Sequence, residues 1–260
     1  MLTVASRKHL EWMLKRNMAA STIATRRTVL TAIEYRTGRR PLEATVDQLE
    51  SVLGSRRHVP ATRNVWISHM RSFYGWARDE GLIDRDPSRR LVWARTDETL
   101  PRPIAEDALA HAIAVADDTM RAWLVLGAYG GLRCCEIAQL HGEHVDLARR
   151  AIHVVRSKGG RSRVVPMHDR VAALFDEQPS GRLWQVTRNR VCCRVAQHLR
   201  RLGYPYTAHT LRHRFATVLY EATGDINVVR DLLGHSKTTT TQVYVQISVE
   251  RRRAAVAMIS

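Results

Sequence analysis

Strand-forming sequence is concentrated at one place in this chain. Two β-branched runs, AIHVVR at 151–156 and SRVVP at 162–166, flank SKGGR, whose glycines suit a hairpin turn. Elsewhere the apolar residues recur mostly at helical spacing. The fold class expected is therefore mainly α with a small β-sheet or hairpin. The spacing predicts a helix from Val4 to Lys15, and a second with Ser21 or Thr22 as its cap that stops at Gly38. A short helix follows Pro41, and a fourth runs from Pro60 to Gly81. Pro87, Pro101 and Pro103, with no periodicity between them, mark a linker over 84–102. It separates a helical domain at 1–83 from a second domain at 103–260 that ends in a tail.

Charge narrows the partner. Against 25 acidic residues stand 41 basic ones, a net charge of +16, which calls for a polyanion such as double-stranded DNA. Both parts are basic, so both can grip the same polyanion. Only Lys8, Lys15, Lys158 and Lys237 are lysines and the rest are arginines, so a lysine here carries more information than an arginine. No apolar run reaches membrane-spanning length and the N-terminus lacks a signal-peptide core, so a cytoplasmic protein away from membranes is expected. Cys134, Cys135, Cys192 and Cys193 lack zinc-site spacing and read as small buried residues in a reducing compartment. No GxxxxGK[ST] is present, which excludes a P-loop NTPase. His209 and His213 are four apart, but no HExxH exists and Arg212 intervenes; no metal or other cofactor is expected.

Three segments hold the chemistry-bearing residues. Gly130-Gly131-Leu132-Arg133 leads into a helix, with Glu136 one turn on. The helix at 207–223 is predicted to put Leu211, Phe215, Val218, Leu219 and Ala222 on one face, and His209, Arg212, His213 and Ala216 on the other. Gly224 ends it, Asp225 caps a short helix that stops at Gly234, and His235 follows. The segment after His235 restarts as a helix carrying Tyr244.

Singly, each motif is weak; their order is specific. GLR-x-x-E, a lysine-bearing hairpin SKGGRSRVVPM, HTLRHRFAT, LLGH and a tyrosine nine residues later together resemble the tyrosine recombinase (phage integrase) family, over about 103–247. The resemblance implies a two-domain DNA clamp, with a helical core-binding domain and an α+β catalytic domain, in a short form without an arm-binding domain. It makes Arg133 and Arg212 the catalytic arginines, Lys158 the hairpin lysine, His209 the first histidine, His235 the histidine-or-tryptophan position and Tyr244 the nucleophile, with Glu136 in support. It implies a 3′-phosphotyrosine intermediate and a Holliday junction. It further implies a homotetramer on attachment or core sites, joined through the apolar tail around Val256, Ala257, Met258 and Ile259, with an accessory directionality factor possible. A type IB topoisomerase-like enzyme and a non-catalytic regulator of the same fold are the alternatives.

Elementary chemistry points the same way. Cleaving a phosphodiester without metal needs a nucleophile, charge stabilisation and a leaving-group acid. A phenol with a pKa near ~10 attacks if nearby cations ease its ionisation. Two arginines fit the nonbridging oxygens, where charge grows. An arginine is a poor proton donor and a lysine a better one, which singles out Lys158 for the departing 5′ oxygen.

Overall fold

The computed structural model describes residues 2–54, 59–96, 102–155 and 162–234. The chain divides into two compact units, Met1–Glu98 and Thr99–Ser260.

The first unit is helical: α1 (Val4–Lys15), α2 (Ala20–Thr37), α3 (Val46–Gly54) and α4 (Pro60–Asp79). Thr3 caps α1, its hydroxyl accepting from the Ser6 backbone N–H. Ser21 and Thr22 are not the cap of α2; that position is Ala19, and both residues lie within the first turn. Gly38 closes α2 in the left-handed conformation, at φ 62°. Val29, Leu30 and Ile33 of α2 pack with Leu49, Val52 and Leu53 of α3 and with Ile67, Met70, Phe73 and Tyr74 of α4. Part of the segment read as a linker joins this core. Pro87–Arg90 forms a 3₁₀ turn, Leu91 is only 1% exposed, and Asn64 and Ala94 exchange hydrogen bonds of 2.9 and 2.8 Å. Burying one leucine is worth about 1.5–3 kcal/mol, which favours the docked strap.

A polar junction lies inside the same unit. Arg26 of α2 is 2% exposed; it donates to His9 Nε2 of α1 and, at 3.0 Å, to His69 Nδ1 of α4. Both rings must be neutral to accept, and burial followed by the Arg26 charge lowers His9 to about 3 and His69 to about 4.

The second unit contains α5 (Glu106–Ala114), α6 (Asp118–Tyr129), α7 (Cys134–Ala138), β1 (Val145–Asp146), β2 (Ala151–Val154), β3 (Arg163–Pro166), α8 (Asp169–Ala172), α9 (Arg188–Arg201), α10 (Ala208–Thr223) and α11 (Ile226–Leu233). Helix α6 is buried nearly all round, from Met120 through Ala128, and forms the centre of this unit. Its Gly127 faces Leu211 of α10, where an added Cβ would meet Leu211 Cδ1 at 3.1 Å, so the two helices approach closely. The sheet is antiparallel in the order β1-β2-β3, with Ile152 opposite Val165 and Val154 opposite Arg163. Alternation puts Ile152, Val154 and Val165 into the core and leaves Val164 52% exposed. The fold class expected from sequence is the one found: mainly α with a small sheet.

Helix α10 departs from its predicted faces. Val218 is 41% exposed, whereas Ala216 is fully buried and Arg212 only 2% exposed. The reason is that α10 is covered on two sides. Leu211 enters the main core beside α6, and Ala216 packs with Val229 and Leu233 of α11. Among the described residues no helix is long and apolar enough to cross a membrane.

Candidate active site

Glu136 organises the site. Its carboxylate, with the side chain 8% exposed, receives the Arg133 backbone N–H and Nη1, each at 2.8 Å. It also receives Nη1 and Nη2 of Arg163 at 2.8 and 2.9 Å, in the paired geometry that suits a guanidinium to a carboxylate. Arg212 Nη1 stands 3.9 Å away. Burial raises the Glu136 pKa, but hydrogen bonds and charge from Arg163, then Arg133, outweigh it and bring the value to about 2. Three guanidiniums thus share one carboxylate among the described residues, and the cluster stays net positive. Arg214, two residues along α10 from Arg212, differs: it forms its own pair with Glu106 at 2.5 and 3.0 Å.

The same three arginines grip the end of α11. Arg163 Nε donates to the Leu232 carbonyl at 2.7 Å, Arg212 Nη2 to Leu233 at 2.5 Å and Arg133 Nη2 to Gly234 at 3.3 Å. The last carbonyls of a helix lack intrahelical partners and carry partial negative charge, so cations belong there. The chain can turn out of α11 because Gly234 takes φ 62°. On its other edge Arg212 donates to the Gly131 carbonyl. Gly131 has φ 62° and lies against Phe215, where a Cβ would sit 2.5 Å from Cδ1, so a side chain is excluded. Of the residues singled out from sequence, Arg133, Glu136 and Arg212 are therefore brought together. Arg133 remains 30% exposed, and Arg212 is locked in place by carbonyls on both sides.

His209 lies at the surface of α10, and its ring centroid is 4.2 Å from that of His213, edge to face. Partial burial of the ring, then the charges of Arg212 and Arg133, hold His209 below its ordinary value. His213 falls to about 4, through burial and then the neighbouring His209 and Arg212. Both shifts favour the neutral form of the rings. Lys158, His235 and Tyr244 lie outside the described residues.

Sequence reasoning missed Arg163. Its place opposite Val154 on the inward side of the sheet, where a charged residue needs a partner, becomes visible only once the strand register is known. The cysteine expectation needs correcting: Cys192 and Cys193 are exposed, while Cys134 and Cys135 are half-buried. Burial, then the neighbouring Cys192, pushes the Cys134 thiol up to about 12, so next to Arg133 it remains protonated and unreactive. Among the described residues no cluster of histidine, cysteine, aspartate or glutamate has the makings of a metal site.

With this geometry in view, the chain belongs to the phage integrase family, the tyrosine recombinases, whose sequence pattern it matches over residues 104–251. It is a tyrosine site-specific recombinase. It is 30% identical to "Tyrosine recombinase XerD" of Ralstonia nicotianae, over 92% of this chain and 88% of that protein. The integrase of mycobacterium phage Brujita is 26% identical, with 95% of this chain and 89% of that chain covered at a TM-score of 0.51. A lambda integrase dimer bound to a COC′ core site shares the fold at a TM-score of 0.76, with 18% identity and coverage of 94% and 95%.

Proposed function

We propose that the arginine cluster holds a DNA phosphodiester while Tyr244 attacks it, forming a 3′-phosphotyrosine bond and freeing a 5′-hydroxyl. The observation that carries this is three guanidiniums set around a single carboxylate, with His209 three residues before Arg212 on α10. A bound phosphate supplies the missing negative charge, and the excess positive charge stabilises the further charge of the transition state. His209, neutral before substrate arrives, accepts a proton or donates a hydrogen bond at the phosphate, and the incoming anion raises its proton affinity. Lys158 protonates the departing oxygen. His235, one residue beyond Gly234, serves as a second phosphate donor. The new bond keeps the phosphodiester linkage, so a hydroxyl from a second duplex reverses the step and exchanges strands through a Holliday junction, with neither ATP nor metal required.

The partner in this reading is double-stranded DNA, supported by the net charge of +16 spread over both halves and by the lambda integrase relative bound to a core site. Residues 1–83 act as the core-binding domain and 103–260 as the catalytic domain. Four protomers assemble through the apolar tail, on DNA in the cytoplasm. The test is covalent capture on a nicked duplex. Tyr244→Phe is expected to abolish the denaturation-resistant protein–DNA adduct while binding the same duplex within about threefold of the unaltered protein. An undiminished adduct assigns the nucleophile elsewhere and overturns the reading.

A further inference from the structure

We infer that Arg163 is a positioning residue for the strand-cleavage step, acting through Glu136 on Arg133. The inference rests on the reading above, in which Arg133 binds the scissile phosphate.

Three observations carry it. First, Arg163 is a buried cation on a strand: its side chain is 7% exposed, and it pairs with a carboxylate that is itself 8% exposed. Second, its guanidinium uses three nitrogens on two separate elements. Nη1 and Nη2 take both oxygens of Glu136 on α7, and Nε takes the Leu232 carbonyl at the end of α11. Third, Glu136 holds Arg133 twice, by backbone and by side chain, so anything that rotates the carboxylate rotates Arg133. With both its oxygens engaged by Arg163, the carboxylate plane is fixed, and with it the direction in which Arg133 projects. Leu232 lies two residues before Gly234, whose carbonyl Arg133 also uses, so Arg163 fixes both anchors of Arg133 together.

The arrangement needs an arginine. A lysine at 163 keeps the charge, but a single ammonium cannot span both carboxylate oxygens and the Leu232 carbonyl in one plane. Arg163 touches no substrate in this scheme, since its donors face the protein. It also lies five residues along the chain from Lys158, at the start of β3. One side chain therefore ties the strand leading from the lysine to the arginine that receives the phosphate.

The experiment measures single-turnover adduct formation on a nicked duplex by the full chain, alongside duplex binding and thermal melting. Arg163→Lys is expected to slow adduct formation by about 10²-fold, the cost of misplacing a reacting group by an ångström, with binding within about threefold. Arg133→Ala is the reference. If it forms adduct at the unaltered rate, the phosphate role fails and takes this inference with it. If Arg133→Ala is slow and Arg163→Lys is not, the inference alone is overturned. Because a buried unpaired carboxylate endangers folding, the double variant Arg163→Met, Glu136→Gln removes that carboxylate together with its bidentate partner, and thermal melting establishes that it folds. Its rate should be no lower than that of the slower of the single variants Arg163→Met and Glu136→Gln, since the two residues act as one unit; independent, multiplicative losses overturn the inference. A duplex with a methylphosphonate at the scissile position is uncharged there and depends less on Arg133. On it, Arg163→Lys should recover in parallel with Arg133→Ala. Recovery of Arg133→Ala without Arg163→Lys makes Arg163 a scaffold residue and overturns the inference.

Discussion

Gly131 and Lys158 give the sharpest predictions at the scale of single residues. Gly131→Ala forces a side chain into the left-handed region and against Phe215, at φ 62° with 2.5 Å to the ring. It should cost about 1–3 kcal/mol in urea denaturation, and adduct formation should slow because the Gly131 carbonyl anchors Arg212. Stability unchanged within error would mean that Phe215 swings clear. Lys158→Arg keeps charge and removes the transferable proton, so cleavage should fall by about 10²–10⁴-fold. Replacing the bridging 5′ oxygen with sulfur provides a leaving group that needs no proton, and Lys158→Arg should then cleave near the unaltered rate. Persistent impairment on the sulfur substrate would make Lys158 a point charge and not an acid. These two residues also mark how much of the site the sequence reveals. GLR-x-x-E and H-x-x-R are local, and short-range spacing exposes them. Arg163 is not local: its partners lie 27 and 69 residues away, and one arginine among so many gives no signal on its own. The burial of Arg212 was hidden for a related reason. Periodicity ranks the faces of α10 by polarity and is blind to α11 folding back over the polar one.

At the scale of elements, the junction of α1, α2 and α4 makes the helical unit sensitive to acid. His9 and His69 have folded-state pKa values of about 3 and 4, below the ordinary 6.5, so the unfolded chain binds more protons between those limits. Stability is fully present above about pH 6.5 and is lost as pH falls towards 4. Each group contributes up to about 1.4 kcal/mol per pH unit while it titrates in the unfolded state alone. His69→Gln keeps an acceptor for Arg26 and removes one titration. Urea midpoints taken between pH 7 and pH 5 should then fall less steeply for His69→Gln than for the unaltered chain. Equal slopes would mean that solvent reaches His69 freely. The helix pattern itself was readable: α1, α10 and α11 lie where apolar spacing, Gly224, Asp225 and Gly234 put them. What failed was the choice of cap for α2, where a serine or threonine near a helix start looks the same whether it stands before the first turn or inside it. The strap over 84–96 was also missed, because Leu91 is a lone apolar residue with no periodicity to announce its burial.

For the whole molecule, the excess of 41 basic over 25 acidic residues should appear as a steep salt dependence of duplex binding. Each neutralised phosphate adds about −0.9 to the slope of log K against log salt, so six or more contacts weaken binding by about 10³-fold or more between 50 and 200 mM. A slope shallower than about −3 would mean that most of this charge faces solvent. The grip of Arg133, Arg163 and Arg212 on successive carbonyls of α11 has a consequence in time. Arg133 and Gly234 are joined across 101 positions of sequence. While the chain emerges from the ribosome, Arg133, Lys158, His209 and Arg212 are all made before the carbonyls that hold the arginines in place. A nascent chain ending short of Leu232 carries the cations without their clasp. The arginine cluster therefore reaches its final arrangement only once synthesis has passed the end of α11.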